Sequence, residues 1–164
     1  MAELARNREM ATSIAAFARS GKPVYAECGG LMYLARTLTW GDRVQPMCGV
    51  LPIDVEMRER PQGRGSMQLE ETGLAPWGRF AETGARVPAH EFHYSCITSA
   101  SDVDLEFAYD VKRGFGADGA RDGIVYGNVM ASYAHLRNTR RSPWIKALLC
   151  WMQQTTRSVE VSNV

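Results

Sequence analysis

The chain has 164 residues, 45% of them hydrophobic and 23% charged, with a formal net charge of +1. That length supports one domain with a sizeable core, and the near-neutral balance argues against electrostatic capture of nucleic acid or an anionic membrane. No apolar run approaches the length that spans a bilayer.

The opening stretch, "MAELARNREM", carries charges of both signs and lacks the apolar centre of a secretory signal. The spacing predicts a first helix over about Leu4 to Ala18, with Met10, Ile14, Phe17 and Ala18 on one face. "SGKP" stops it, with Gly21 as a left-handed cap and Pro23 unable to continue. A short strand follows at about Val24 to Ala26. Then come Cys28, Gly29 and Gly30, and a second helix to about Leu38. Beyond Trp40 the pattern turns to β: "PMCGVLPIDVEM", "GSMQLEET", "HEFHYSCIT" and "LEFAYDVK" read as strands. "DGIVYGNVMASYAH" reads as a hairpin turning at Gly127-Asn128. A last helix starts with Ser142 as N-cap and Pro143 in the first turn, and its apolar face is Ile145, Leu148, Leu149 and Met152. The segment 155–164 reads as a frayed tail after a domain of residues 1–154. Helix, strand, helix, several strands and helix suggest an α/β domain of three layers with a mixed sheet. Such sheets usually begin with a strand, so strands are expected ahead of the opening helix.

A cysteine at a strand–turn–helix junction suits a nucleophile. The turn lifts the thiol clear of the sheet, and the helix N-terminus favours the thiolate. The Gly29 and Gly30 N–H groups are left to meet a developing oxyanion. A free cysteine is as often a small buried hydrophobe, so the local pattern leaves both readings open for Cys28. Glu27 faces the other way along the strand and is assigned no role. A thiol nucleophile also needs a base, and the histidines are His90, His93 and His135. His135 lies just past a strand end, where sheets of this class assemble sites. His90 and His93, three apart on one strand, point to opposite faces.

"YAECGGLMYL", "HEFHYS" and "GNVMASYAHLR", in this order, resemble the glutaminase domain of the cobyrinic acid a,c-diamide synthase family, a branch of the class I glutamine amidotransferases. The likeness runs from about Ala2 to about Gln154. "RPQGRG" and "DGIVYGNVMASYAHLR" are most similar to a branch linked to dissimilatory sulfite reductase, for which sirohaem is the implied acceptor. The resemblance implies a flavodoxin-like class I amidotransferase fold whose first strands lie upstream of this chain. It implies Cys28 as the nucleophile on glutamine, His135 as its proton partner, and His93, Tyr94 and Ser95 as substrate contacts. Most class I enzymes carry a glutamate two residues after the histidine. Here that position is Arg137, which leaves open what orients the imidazole.

The same resemblance implies ammonia supply for amidation of a tetrapyrrole carboxylate, cobyrinic acid or sirohaem, by an ATP-dependent synthetase domain. ATP and magnesium are expected on that domain, because this chain has no G-x-x-x-x-G-K-[ST] phosphate loop. No cofactor and no metal are expected here. A glycine-rich loop ahead of "MAELARNREM" normally completes the oxyanion hole, so the chain alone is expected to be slow and, with an uncovered sheet edge, to self-associate. The alternatives are an impaired domain acting only as a binding or regulatory module, and a cysteine hydrolase of another small amide or ester. The widely spaced Cys28, Cys48, Cys96 and Cys150 suggest reduced thiols in a cytoplasm.

Other patterns carry less. "GFGADG" matches G-x-G-x-x-G, but no helix pattern opens on it. His90, His93 and Cys96 match no standard zinc spacing. "RNTRRS" reads as a solvated loop, or more weakly as an arginine dock for an acidic tetrapyrrole.

Overall fold

The computed structural model describes residues 2–100 and 105–162. The expected opening helix is two helices, α1 (Ala2–Arg6) and α2 (Arg8–Arg19). Asn7 divides them, because its side-chain oxygen accepts the Met10 N–H at 3.1 Å and so caps α2. The packed face of α2 is also narrower than expected. Ala11 and Ala15 are buried, with Ile14 and Ala18 partly so, while Met10 and Phe17 stay exposed. Gly21 is left-handed at φ 78°, as expected of a helix stop.

Strand β1 (Val24–Glu27) leads through Cys28 into α3 (Gly29–Leu34). This helix ends four residues before the expected Leu38. Ala35 is already extended, with ψ 170°. The residues beyond form β2 (Thr37–Trp40), which pairs with β3 (Arg43–Pro46) and β4 (Ile53–Met57). Two threonines alternating with Leu38 and Trp40 suit a pleated strand better than a helix. The remaining elements are β5 (Gly63–Glu71), β6 (Val87–His93), β7 (Ser95–Ala100), β8 (Glu106–Arg113), β9 (Arg121–Tyr126), β10 (Val129–Ser132), β11 (His135–Leu136) and α4 (Trp144–Ser162). The β9–β10 hairpin turns at Gly127-Asn128 as expected, with Tyr126 opposite Val129.

Among the described residues, the larger sheet runs in the order β1-β10-β9-β8-β5-β6-β11 and the smaller in the order β3-β2-β4-β7. The larger sheet is mixed: β1 and β10 are parallel, and its other pairs are antiparallel. Residues of its central strands enter two different cores. Phe107, Ile124, Val129 and Ala131 pack with Leu31, Leu38, Ile53 and Val55 of α3 and the smaller sheet. Ala108, Tyr109, Val125 and Met130 pack on the opposite face, against Trp77 and Phe80 of the long β5–β6 connection. A sheet covered on both sides explains why all four residues of β10 are buried. The three-layer mixed α/β expectation therefore holds, and the small second sheet is an addition to it.

Helix α4 differs from expectation at both ends and on its packed face. It starts at Trp144, and the Ser142 side chain is buried without a partner instead of capping. Asn138 Oδ1 accepts the Ile145 N–H at 3.4 Å in its place. The helix continues to Ser162 where a frayed tail was expected, since no Gly or Pro interrupts "WIKALLCWMQQTTRSVEVS". Trp144 and Trp151 make its buried contacts, whereas Ile145, Leu149 and Met152 are exposed. Trp77 packs on both tryptophans, with ring centroids 6.4 Å and 5.7 Å away. At the near edge of the larger sheet, β1 has β10 on one side. Beside it lies an apolar groove of about 530 Å³ between α2, β1 and Met152.

Candidate active site

Parallel pairing of β1 with β10 fixes where the two chemically interesting side chains emerge. Glu27 lies beside Ser132, and the Cys28 N–H donates to the Ser132 carbonyl at 2.7 Å. Cys28 therefore leaves the carboxyl end of β1, and Tyr133, Ala134 and His135 leave the carboxyl end of β10. The crevice at such strand ends is where open α/β sheets place their chemistry.

Cys28 has φ 47° and ψ −102°. Among the described residues it is the sole non-glycine residue with positive φ. A side chain held there costs on the order of 1 kcal/mol or more, and such strain concentrates at functional sites. This is the geometry of a nucleophile elbow. The two glycines that follow do different jobs. A Cβ on Gly30 would lie 3.1 Å from the Ala26 Cβ, so Gly30 lets α3 press onto β1. A Cβ on Gly29 would meet open space, which leaves the approach to the thiol clear. As the first two residues of α3, both lack an intrahelical partner for their N–H groups.

The thiol is half-buried, and it donates to the Phe92 carbonyl of β6 at 3.8 Å. Burial pushes its pKa up, while the Gly29 N–H aimed at the sulfur pulls the other way and the charges of Glu27 and Asp122 add to the rise. The expected lowering by the helix terminus is thus outweighed. A helix of six residues ending at Leu34 has little dipole to offer against desolvation.

His135 opens β11, where it pairs with His90 of β6, two residues before the Phe92 that holds the thiol. Both the sulfur and the imidazole strand therefore border one stretch of β6. The His135 Nδ1 lies 2.9 Å from Glu27 Oε2. Glu27 Oε1 accepts the Tyr25 hydroxyl at 2.6 Å and the Leu136 N–H at 3.3 Å. Glu27, assigned no role from the sequence, is thus the residue that grips the imidazole, while Arg137 is exposed. What strand alternation could not show is that β11 folds back to bring His135 to the Glu27 carboxylate.

His93 and Ser95 do not face the crevice with their side chains. His93 is 3% exposed and stacks on Tyr133, with centroids 3.9 Å apart. Its Nδ1–H donates to the Ser95 carbonyl at 2.9 Å, and its Nε2 lies 3.4 Å from Glu91 Oε2. Ser95 Oγ donates to the Tyr133 hydroxyl at 2.9 Å. Both side chains brace the segment that carries His135, while other members of the motif are exposed. Those are His90, Phe92 and Tyr94, with Phe92 edge-on to Tyr94 and the Arg64 guanidinium 5.9 Å from the Phe92 ring. His90 and His93 take opposite faces, as the alternation predicted. Among the described residues no group of three or more His, Cys, Asp and Glu could hold a metal ion.

Asp122 of β9 fixes the same segment from beneath. Fully buried, its carboxylate accepts the Tyr133 N–H at 3.1 Å and the Ala134 N–H at 2.8 Å. Burial raises its pKa from 3.8 to about 6, against the pull of the amides. An acid whose folded pKa is raised contributes stability below its unfolded value and loses it as pH rises through the folded one. The interval from 3.8 to about 6 corresponds to on the order of 3 kcal/mol. Urea unfolding of Asp122→Asn should therefore gain stability relative to the native chain between pH 4 and pH 7. A difference constant across that range would refute the assignment.

Comparisons with known proteins agree with this architecture. The sequence model of the CobB/CobQ-like glutamine amidotransferase domain matches residues 1–142. The cobyrinate a,c-diamide synthase of Magnetococcus marinus is 40% identical over 144 residues, covering 88% of this chain and 30% of that protein. That of Archaeoglobus fulgidus is 41% identical over 133 residues, covering 81% of this chain and 28% of that protein. The chain thus spans under a third of the length of the curated relatives it matches. Among solved structures, a putative GMP synthase protein from Thermoplasma acidophilum aligns with TM-score 0.58 at 12% identity, covering 97% of this chain and 70% of that one. A glutamine amidotransferase from Thermotoga maritima aligns with TM-score 0.53 at 13% identity, covering 96% and 56%. At these identities the structural likeness shows the fold alone.

Proposed function

Because the chain belongs to the CobB/CobQ-like glutamine amidotransferase domain family, we propose that it hydrolyses glutamine at Cys28 and passes the ammonia to an ATP-dependent amidation of a tetrapyrrole carboxylate. The observation that carries this reading is the strained Cys28 just past the end of β1, with His135, gripped by Glu27, three residues past the end of the neighbouring β10.

His135 takes the thiol proton as the sulfur attacks the side-chain amide carbon of glutamine. The Gly29 and Gly30 N–H groups face the oxyanion of the tetrahedral intermediate. The imidazolium returns its proton to the amide nitrogen, the C–N bond breaks, and ammonia leaves a glutamyl thioester on Cys28. Water, deprotonated by His135, then attacks the thioester and releases glutamate and the free thiol. Phe92, Tyr94 and Arg64 border the approach, and the Arg64 guanidinium suits the α-carboxylate of glutamine.

The acceptor is assigned by similarity, to cobyrinic acid as in the named relatives or to sirohaem. ATP and magnesium are assigned to a synthetase portion, since this chain has no phosphate loop. A cytoplasmic setting fits the free thiols, and no helix among the described residues is long and apolar enough to cross a membrane. The uncovered side of β1 and its apolar groove support self-association.

One observation favours a second reading, that of a regulatory module without turnover: the thiol donates to Phe92 rather than to the imidazole. Glutamate release from glutamine, assayed with and without a cobyrinate synthetase portion, separates the two. Release above that of a Cys28→Ala control supports catalysis, and release equal to the control under both conditions supports the module.

A further inference from the structure

We propose that Glu27, the residue immediately before the nucleophile, is the positioning carboxylate for the base, and that it holds His135 as the Nδ1–H tautomer, which leaves Nε2 as the ring's proton acceptor. The proposal rests on the catalytic reading of Cys28 and His135 and adds the orienting group that the Arg137 position does not supply.

The Glu27 carboxylate has a defined partner on each oxygen. Oε2 faces His135 Nδ1 at 2.9 Å, and a carboxylate in that place accepts a proton from Nδ1. Oε1 accepts from Tyr25 at 2.6 Å and from the Leu136 N–H at 3.3 Å. The second of these contacts ties the carboxylate to the backbone of β11 itself, one residue after the imidazole it orients. Tyr25 is rigid in turn. Its ring packs on Trp77 and Trp144, with centroids 5.7 Å and 5.2 Å away. Burial raises the pKa of its hydroxyl, with the hydrogen bond to Glu27 adding to the rise, so it stays a donor. The tryptophans of the β5–β6 connection and of α4 thus hold Tyr25, Tyr25 holds Glu27, and Glu27 holds His135. Since Glu27 and Cys28 share a peptide bond, any shift of β1 moves the nucleophile and the anchor of its base together.

The test uses the full chain, with Glu27→Gln, Glu27→Asp and a Cys28→Ser control. Two readouts are taken: the kcat and KM of glutamate release, and the ring-nitrogen shifts of His135 in a 15N-labelled sample at a pH where the imidazole is neutral. Glu27→Gln should lower kcat by about a hundredfold or more with KM little changed, as expected when a base is held in the wrong tautomer. Its amide can donate to Nδ1, so the Nδ1–H signature should give way to Nε2–H. Glu27→Asp keeps a carboxylate and should retain the Nδ1–H tautomer with part of the activity. If the native chain releases glutamate no faster than Cys28→Ser, the glutaminase reading fails, and the tautomer measurement still decides the role of Glu27. An unchanged tautomer in Glu27→Gln, or a native chain in the Nε2–H form, overturns the proposal.

Discussion

Replacing Cys28 with alanine or serine is expected to bring glutamate release down about a thousandfold or more, to background, while leaving glutamine binding measurable. No other group at the end of β1 can form the thioester, so the loss falls on kcat. Serine is no rescue. Its hydroxyl is a far weaker acid than the thiol, and burial already works against ionisation at this position. The elbow supplies an internal contrast. At φ 47°, Cys28→Ala keeps the strain, whereas Cys28→Gly removes it. Both variants should be inactive, but the glycine variant should be the more stable of the two by about 1 kcal/mol in urea unfolding. A protein that sets stability against activity at one residue is using that residue for chemistry. Equal stabilities would mean that the turn is not strained, and retained turnover in Cys28→Ala would move the nucleophile elsewhere.

The parts of the site that could be read from the sequence are those where local pattern and global fold agree. The turn at "ECGG" and the hairpin before "SYAH" both follow from short-range rules, and both structures appear where expected. The boundary of α3 was not legible, because Leu34, Ala35 and Leu38 continue a helical spacing that β2 then abandons. The extended turn at Ala35 depends on a second sheet that no local window contains.

The largest inversion lies in β6. By hydropathy alone, the alternation in "HEFHY" buries Phe92 and exposes Glu91 and His93. The structure does the reverse, with Phe92 at 49% exposure and Glu91 and His93 at 2% and 3%. Glu91 accepts the Phe115 and Gly116 N–H groups at 2.8 Å and 2.9 Å, and His93 stacks on Tyr133. These partners lie more than twenty residues away, so nothing near the motif announces them. Places where charged residues displace apolar ones from a core are those where a fold serves a site. Here the backbone carbonyl of the exposed Phe92 meets the thiol. Glu27 was missed for a related reason: its partner is 108 residues distant.

Gly63→Ala is expected to be the most damaging of the small substitutions, at about 3–5 kcal/mol and a drop in Tm of roughly 10 °C. Gly63 opens β5 directly opposite His93. Its φ lies outside the left-handed region, so alanine fits the backbone. The difficulty is space. A Cβ there would overlap Glu91 Oε2 and His93 Nε2, and would sit 2.7 Å from Glu91 Cδ. Neither partner can retreat. Glu91 is pinned by two backbone amides, and His93 is pinned by the Ser95 carbonyl and the face of Tyr133. Burial alone would raise the Glu91 pKa, but the His93 contact and the Gly116 and Phe115 amides hold it below the usual carboxylate value. Its stabilising contribution is therefore present above the unfolded carboxylate range and lost as pH falls. Prying the pair apart leaves a buried carboxylate with one partner fewer. Gly29→Ala is the control, since its Cβ meets open space at ordinary φ in a helix and should change stability by no more than about 1 kcal/mol, in the favourable direction. Because Tyr133 stacks on His93 and is two residues from His135, Gly63→Ala should also lower kcat at temperatures where the chain is still folded. Thermal unfolding of the two variants beside the native chain decides the matter. If Gly63→Ala melts with Gly29→Ala, the buried Glu91–His93 pair is not the rigid support on which His135 rests.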